Sequence, residues 1–151
     1  MVDIVSRKKR SEMMSGIRSR NTRPELVARK ALHKLGFRFR LHQSDLPGKP
    51  DLVFRKYRAV IFTHGCFWHG HKCHLFKWPL SRPSFWKAKI NGNRKKDKES
   101  IELLFSRNWR VLVIWECAFK GKSKLEPEKL FSTACKWLKS RKKFLEFYGK
   151  N

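Results

Sequence analysis

Pro50-Asp51-Leu-Val-Phe54-Arg-Lys-Tyr-Arg58-Ala-Val-Ile-Phe-Thr63 is the stretch on which the reading of this chain turns. Asp51 to Phe54 reads as a short strand, Arg55 to Arg58 as a turn, and Ala59 to Thr63 as the partner strand. Antiparallel pairing across so short a turn brings Asp51 close to Thr63. It also brings Asp51 near the Gly, Cys and His-rich loop that runs from His64 to about His74.

Upstream, Leu46-Pro-Gly-Lys-Pro50 is turn chemistry. Before it, Phe37, Phe39 and Leu41 alternate with Arg38, Arg40 and His42, the pattern of a half-buried strand. Thr22-Arg-Pro-Glu25 has the form of a capping box with a first-turn proline. Leu26, Val27, Ala31 and Leu35 follow at helical spacing, and Gly36 can close that helix. Residues 1–20 are polar and basic around Met13, Met14 and Ile17. They read as a flexible start passing into a short helix.

Downstream, residues 75–95 read as irregular, with aromatics set among basic residues. A helix is expected around Asp97 to Phe105, with Ile101, Leu104 and Phe105 on one face. Val111-Leu-Val-Ile-Trp115 is a continuous apolar run, as in a central strand covered on both faces. Pro127 opens a last helix carrying Leu130, Phe131, Ala134, Trp137 and Leu138 inward. A basic tail follows from about residue 140. The expected fold is α/β: a mixed central sheet flanked by helices, in one domain over residues 1–151.

The composition supplies a core, with 40% hydrophobic residues, six Trp and twelve Phe. No apolar run approaches the roughly 20 residues that span a membrane. The first residues lack an apolar signal segment, so a cytoplasmic protein with reduced cysteines is expected. Thirty-seven basic residues against twelve acidic ones leave a net charge of +25. Such a chain repels itself unless a polyanion neutralises it, and nucleic acid is the expected partner. A solvated basic surface, or attachment to the ribosome, is the plainer alternative.

Cys66, His69, His71, Cys73 and His74 fall within nine residues. Four cysteines in a reduced protein read better as metal ligands than as disulfides. Cys66, His71 and Cys73 offer three ligands on one loop, and Cys117 lies just past the apolar strand as a fourth. A Cys3His zinc site would staple the loop to the sheet. Spacing alone leaves His69 and His74 as substitutes for His71. Cys135 sits in the apolar pattern of the last helix, as a small core residue. Asp51 at its strand start can hold Mg2+ with waters and phosphate oxygens. A neighbouring neutral histidine, His64 or His69, can take a proton from water. The plainer reading of Asp51 is a turn residue.

Pro50-Asp51 followed by strand, turn and strand looks like the nuclease core written PD, then D/E-x-K. The second half departs from it, with Phe62 and His64 where an acid and a lysine would stand. Thr63-His-Gly-Cys-Phe-Trp-His-Gly-His-Lys-Cys73 closely resembles the signature loop of the very-short-patch-repair (Vsr) endonucleases. The likeness extends through Lys9-Arg10-Ser11 with Met14, and through Leu46-Pro-Gly-Lys-Pro-Asp51. It continues in Phe85-Trp86 with Lys89-Ile90 and Asn93, and in Trp109 to Cys117.

This resemblance implies a restriction-endonuclease-like fold and a Mg2+-dependent enzyme that nicks one strand beside a T:G mismatch. That cut would begin very short patch repair of deaminated 5-methylcytosine. Asp51 would be the principal Mg2+ ligand with the Thr63 carbonyl beside it, and His69 the general base. Glu25, His64 and Asp97 would support the reacting waters and phosphate. Cys66, His71, Cys73 and Cys117 would bind structural Zn2+. Phe67, Trp68 and Trp86 would form an exposed wedge between base pairs, and Met14 would enter from the opposite groove. Lys89 and Asn93 would join the DNA contacts, with residues 1–20 as a DNA-contacting arm. A monomer in the bacterial cytoplasm is expected, associated with the nucleoid. Mismatch-repair proteins and a DNA cytosine methyltransferase would be its functional partners. Two departures stand out: Lys96, where an arginine commonly precedes the acid, loses the bidentate fork, and Gly70 replaces a histidine of some relatives.

Two other functions fit parts of the pattern. A zinc-dependent nucleic-acid-binding module explains charge and cysteines but leaves Asp51, His69 and Asp97 unused. A homing or HNH-type nuclease needs a hairpin followed by a helix, and no helix is legible directly after His74.

Overall fold

The computed structural model describes residues 21–150, so the expected arm at residues 1–20, Met14 included, lies outside it. Helix α1 spans Arg23–Lys34, with Pro24 in its first turn. The Thr22 side chain makes no cap hydrogen bond. Glu25 instead accepts from the Asn21 N–H at 3.0 Å and faces inward with Ala28 and Leu32. Leu26 and Leu35, expected on the packed face, are exposed. The expected strand over Phe37 to His42 shrinks to β1, Arg40–Leu41. Phe37 leaves the strand pattern to pack on Phe54 and Tyr57.

Strand β2, Leu52–Phe54, and β3, Ala59–His64, pair antiparallel with Leu52 opposite Ile61 and Phe54 opposite Ala59. A single 3-10 turn at Arg55–Tyr57 joins them, closed by Arg58 in the left-handed region at φ 51°. Helix α2 spans Pro83–Ser106, twenty-four residues. It begins well before the expected Asp97 and takes in residues 83–95 of the segment expected to be irregular, while residues 75–82 stay irregular. Trp86, Ile90, Asn93, Asp97, Ile101 and Leu104 recur at helical spacing. Two of those six are polar, so the apolar stripe was broken where it mattered. Strand β4, Arg110–Trp115, pairs parallel with β3. Helix α3 spans Pro127–Leu138 with the expected five residues buried. The basic tail is corrected: Phe144–Phe147 forms β5, parallel to β4. Its alternation of exposed and half-buried residues, beside a run of basic residues, is that of a charged edge strand.

The sheet order is β1-β2-β3-β4-β5, antiparallel on one side and parallel on the other. Residues alternate between two faces. Leu52, Phe54, Ile61, Leu112 and Ile114 pack against α1 and α3. Val53, Val60, Phe62, Val111 and Val113 pack with Leu104 of α2, Leu46 and Trp109. Burial on both faces explains the continuous apolar runs of β3 and β4.

Arg110 closes the end opposite the site. Its guanidinium donates to the carbonyls of Tyr57 at 3.0 Å, Trp137 at 2.9 Å and Leu138 at 2.7 Å. It thus caps the last turn of α3 and ties it to the β2–β3 turn, while stacking over Trp137. Charge-assisted bonds of this kind are the stronger ones. Arg110→Ala is expected to cost roughly 2 kcal/mol or more, one to two such bonds net, in denaturant unfolding. Arg110→Lys should recover only part of it, because an ammonium cannot fork to three carbonyls. An Arg110→Ala protein as stable as the parent would remove this role.

Candidate active site and metal centre

The site is built on the C-terminal ends of β3 and β4, where His64 lies opposite Trp115. The chain leaves β3 through consecutive turns, with the His69 N–H bonded to the Gly65 carbonyl and the His71 N–H to the Cys66 carbonyl at 2.9 Å. These turns fold Cys66, His71 and Cys73 back onto the turn after β4. There they meet Cys117, and the four ligand atoms lie within 4.8 Å of one another.

The geometry suits a tetrahedral ion. Nδ1 of His71 stands 3.7 Å from Sγ of Cys66 and 3.6 Å from Sγ of Cys117. Zinc–sulfur and zinc–nitrogen bonds of about 2.3 and 2.0 Å at tetrahedral angles give an edge of about 3.6 Å. The Cys117 N–H points at Sγ of Cys66 at 3.3 Å, and the Gly149 N–H at Sγ of Cys117 at 3.2 Å. Amides aimed at sulfur favour a thiolate. Burial raises both thiols above their ordinary pKa, so the anionic pair needs a cation to exist there. Of the other two candidate histidines, His69 bonds Asp97 and His74 lies against the Ser123 hydroxyl, and neither is grouped with the three cysteines. The ring of His71 stacks on Trp115 at 4.1 Å, which aims Nδ1 inward.

The acidic half stands beside it. Oδ2 of Asp51 accepts from the Thr63 N–H at 2.7 Å and the Thr63 hydroxyl at 3.1 Å. Glu25, His42 and Asp51 bring their donor atoms within 4.8 Å. In the sequence, His42 shows only as the polar side of a strand. Its Nε2 lies 2.9 and 2.8 Å from the two oxygens of Glu25, and its N–H donates to the Asp51 carbonyl at 3.2 Å. Arg29 also holds Glu25 at 3.1 Å. The left-handed φ of 46° at His42 turns its ring toward the carboxylates. A histidine just after a strand residue carries no sequence signal for that. Burial, then the nearby Glu25 charge, pushes the Asp51 pKa up to about 6 despite the Thr63 bonds. A carboxylate so placed suits a divalent cation.

His64, His69 and Asp97 form the third cluster. Nδ1 of His69 lies 2.5 Å from Oδ2 of Asp97. Asp97 therefore bonds His69 and stands apart from the group formed by Glu25, His42 and Asp51. The rings of His64 and His69 stack at 4.0 Å, 7° from parallel. His64 is buried, and burial with the neighbouring His69 and His71 holds its pKa well below the usual value. Its Nδ1 is buried without a hydrogen-bond partner in the protein.

The aromatic residues differ from expectation. Phe67 and Trp68 are half-buried, but Trp86 is 5% exposed. All three pack on one another with ring centroids 5.2, 5.3 and 5.9 Å apart, in edge-to-face or tilted pairs. Trp86 sits on the inner stripe of α2, so it supports the loop rather than presenting a free face. Asn93, expected on DNA, donates to the Trp68 carbonyl at 2.8 Å. Lys89 is exposed on α2. No helix among the described residues is long and apolar enough to cross a membrane.

Relatives of this chain are DNA-cutting enzymes by name. The family described as DNA mismatch endonuclease Vsr matches residues 2–75. The DNA mismatch endonuclease Vsr of Escherichia coli is 44% identical over 91% of this chain and 88% of its own length. The type II nicking enzyme V.XorIIP of Xanthomonas oryzae is 47% identical over 83% of this chain and 93% of its own. V.NmeAIP of Neisseria meningitidis, another type II nicking enzyme, is 42% identical over 82% and 88%. The chain belongs to the Vsr DNA mismatch endonuclease family.

A pH signature follows from Asp51. Its folded pKa of about 6 lies above the ordinary 3.8, so the folded protein holds a proton that the unfolded chain releases. Stability is therefore lost as pH rises from about 4 to about 6, and the loss persists above. Asp51→Asn cannot ionise, so in magnesium-free buffer it should gain stability relative to the parent across that window. Parallel stability–pH curves for the two proteins would refute the burial argument.

Proposed function

We propose that this protein is a DNA mismatch endonuclease that nicks one strand of duplex DNA beside a T:G mismatch and so starts very short patch repair. The observation that carries the reading is a juxtaposition at the end of β3. Asp51, a half-buried carboxylate with a raised pKa, bonds Thr63 at the end of that strand, and the next residue, His64, stacks on His69, whose Nδ1 is held by Asp97. A non-catalytic binding module has no use for that pairing. The helix Pro83–Ser106 removes one objection to an HNH-type enzyme. The family relationship and the parallel β3–β4 framework favour a restriction-endonuclease-like fold in a single domain instead.

Asp51, aided by Glu25 and by the Thr63 carbonyl, would hold Mg2+. When bound, that ion supplies positive charge against the charge developing on the scissile phosphate. Thr63 fixes one oxygen of Asp51, while His42 and Arg29 fix Glu25, so the carboxylates keep their places. With Nδ1 of His69 turned to Asp97, Nε2 is the nitrogen left to take the attacking water's proton. His64, kept neutral by burial, stacks on that ring without adding charge to it. Zn2+ on Cys66, His71, Cys73 and Cys117 would hold the loop shape and thus the direction of His69.

Phe67 and Trp68 would supply the wedge that opens the mispaired step, with Trp86 as their support. Unstacking costs a few kcal/mol, and a mismatched step is the easiest to open. Met14 and the N-terminal arm would complete the grip. The working setting is the bacterial cytoplasm, on nucleoid DNA deaminated at sites of a cytosine methyltransferase. Mismatch-repair proteins would act beside it, and the enzyme would work as a monomer.

A nicking assay on T:G and fully paired duplexes tests the chemistry. Asp51→Ala should abolish nicking, and His69→Ala should lower its rate by about 10²–10⁴-fold, both with DNA binding and zinc content retained. A His69→Ala protein that nicks normally, or that has lost its metal, would transfer the base role elsewhere.

The wedge is tested by binding. Trp68→Ala should weaken affinity for the T:G duplex more than for paired DNA. Equal losses on the two duplexes would make Trp68 a packing residue only.

A further inference from the structure

We propose that a cavity beyond the metal centre, at the open ends of β4 and β5, seats a DNA backbone phosphate separate from the one that is cut. The cavity is about 470 Å³ and is lined by His74, Lys122, Ser123, Lys124 and Lys150. Three chain segments close it. The loop after Cys73 brings His74, the turn after Cys117 brings Lys122 to Lys124, and the residues after β5 bring Lys150.

Its walls are held tightly. The Lys150 N–H donates to the Ser123 carbonyl at 2.8 Å, and His74 Nδ1 lies 3.3 Å from the Ser123 hydroxyl. Gly121, at φ 87°, leaves room for His74: a Cβ there would stand 2.3 Å from Nε2. A Cβ on Gly149 would stand 2.4 Å from the Ser123 hydroxyl oxygen. Glycine at both positions is what lets the segments converge.

The polar inventory is one-sided. Among the described residues, no carboxylate lies within salt-bridge reach of Lys122, Lys124 or Lys150, whereas Lys120, one turn earlier in the chain, is paired with Glu116. Nε2 of His74 is buried with no protein partner. Three free ammonium groups and a hydroxyl around a roomy concavity call for an anion, and an endonuclease's anion is the phosphodiester. Ligands of sheets with parallel strands gather at the carboxyl ends of those strands.

Position supports the assignment. A line of ring contacts runs from His64 to Trp115 at 5.1 Å, to His71 at 4.1 Å and to Tyr148 at 6.1 Å. It crosses from the end of β3 to the end of β5, about 10 Å at the usual strand spacing. Phosphate contacts at that range set register rather than read sequence. The metal centre gains a second duty: Cys73 precedes His74, and Cys117 receives the Gly149 N–H, so the same ion would steady both loop and seat.

The test uses the full chain with Lys122, Lys124 and Lys150 changed together to glutamine, beside a control with Lys30, Lys34 and Lys136 changed likewise. The first should bind the T:G duplex roughly tenfold more weakly, with a salt slope shallower by about 1, while zinc content and kcat at saturating duplex stay unchanged. A scan of single methylphosphonates on both strands should find, with the parent protein, one sensitive phosphate besides the one that is cut. The triple variant should be indifferent to that position. Equal behaviour of the two triple variants overturns the seat, as does a parent scan with no sensitive phosphate outside the cut. Inorganic phosphate inhibiting the parent but not the variant, without a sensitive position in the scan, would make the cavity a site for free phosphate and also overturn it.

Discussion

The parallel pairing of β3 with β4 is the constraint on which the rest of this molecule depends. It sets Thr63 beside Ile114 and His64 beside Trp115, so both strands end at one level. The residues just past those ends are the ones with chemistry. Asp51 joins them through the antiparallel β2–β3 pair, and Cys117 through the turn after β4. A slip of one residue would reverse every side chain on β3 and send His64 to the other face. Burial on both faces of these strands is what makes such a slip costly.

Helix α2 shows how packing and function share one stripe of side chains. Trp86, Ile90 and Leu104 are buried along it. Between them, Asn93 holds the Trp68 carbonyl, Arg94 holds the Gly70 carbonyl and Asp97 holds His69. The helix is thus a clamp on the loop. Its polar members give up hydrophobic contact in order to fix the direction of the loop and of the His69 ring.

Electrostatics tie the site to its cations. Burial raises Asp51 and the thiols of Cys66 and Cys117, and it keeps His64 neutral. Each shift disfavours the charged form in the bare protein. A dication bound at the carboxylate or the thiols would reverse that preference and so couple ion binding to the stability of the fold. The surface carries the opposite problem, an excess of positive charge that a DNA partner relieves.

The β2–β3 hairpin, the central strand β4, the last helix, the Cys/His set and the Asp51–Thr63 approach were all legible in the sequence. Each rests on local pattern or on a turn short enough to dictate its own register. The first half of α2 was hidden because its apolar stripe is interrupted mid-helix by Asn93 and Asp97, which grip the loop. Strand β5 was hidden because an edge strand in a basic segment has little apolar alternation to show. The role of His42, the turning of Asp97 toward His69, the burial of Trp86 and the lysine-lined cavity were settled only by tertiary structure. Each depends on which distant segments meet, and that is decided by the shared core beneath them rather than by any residue's own neighbours.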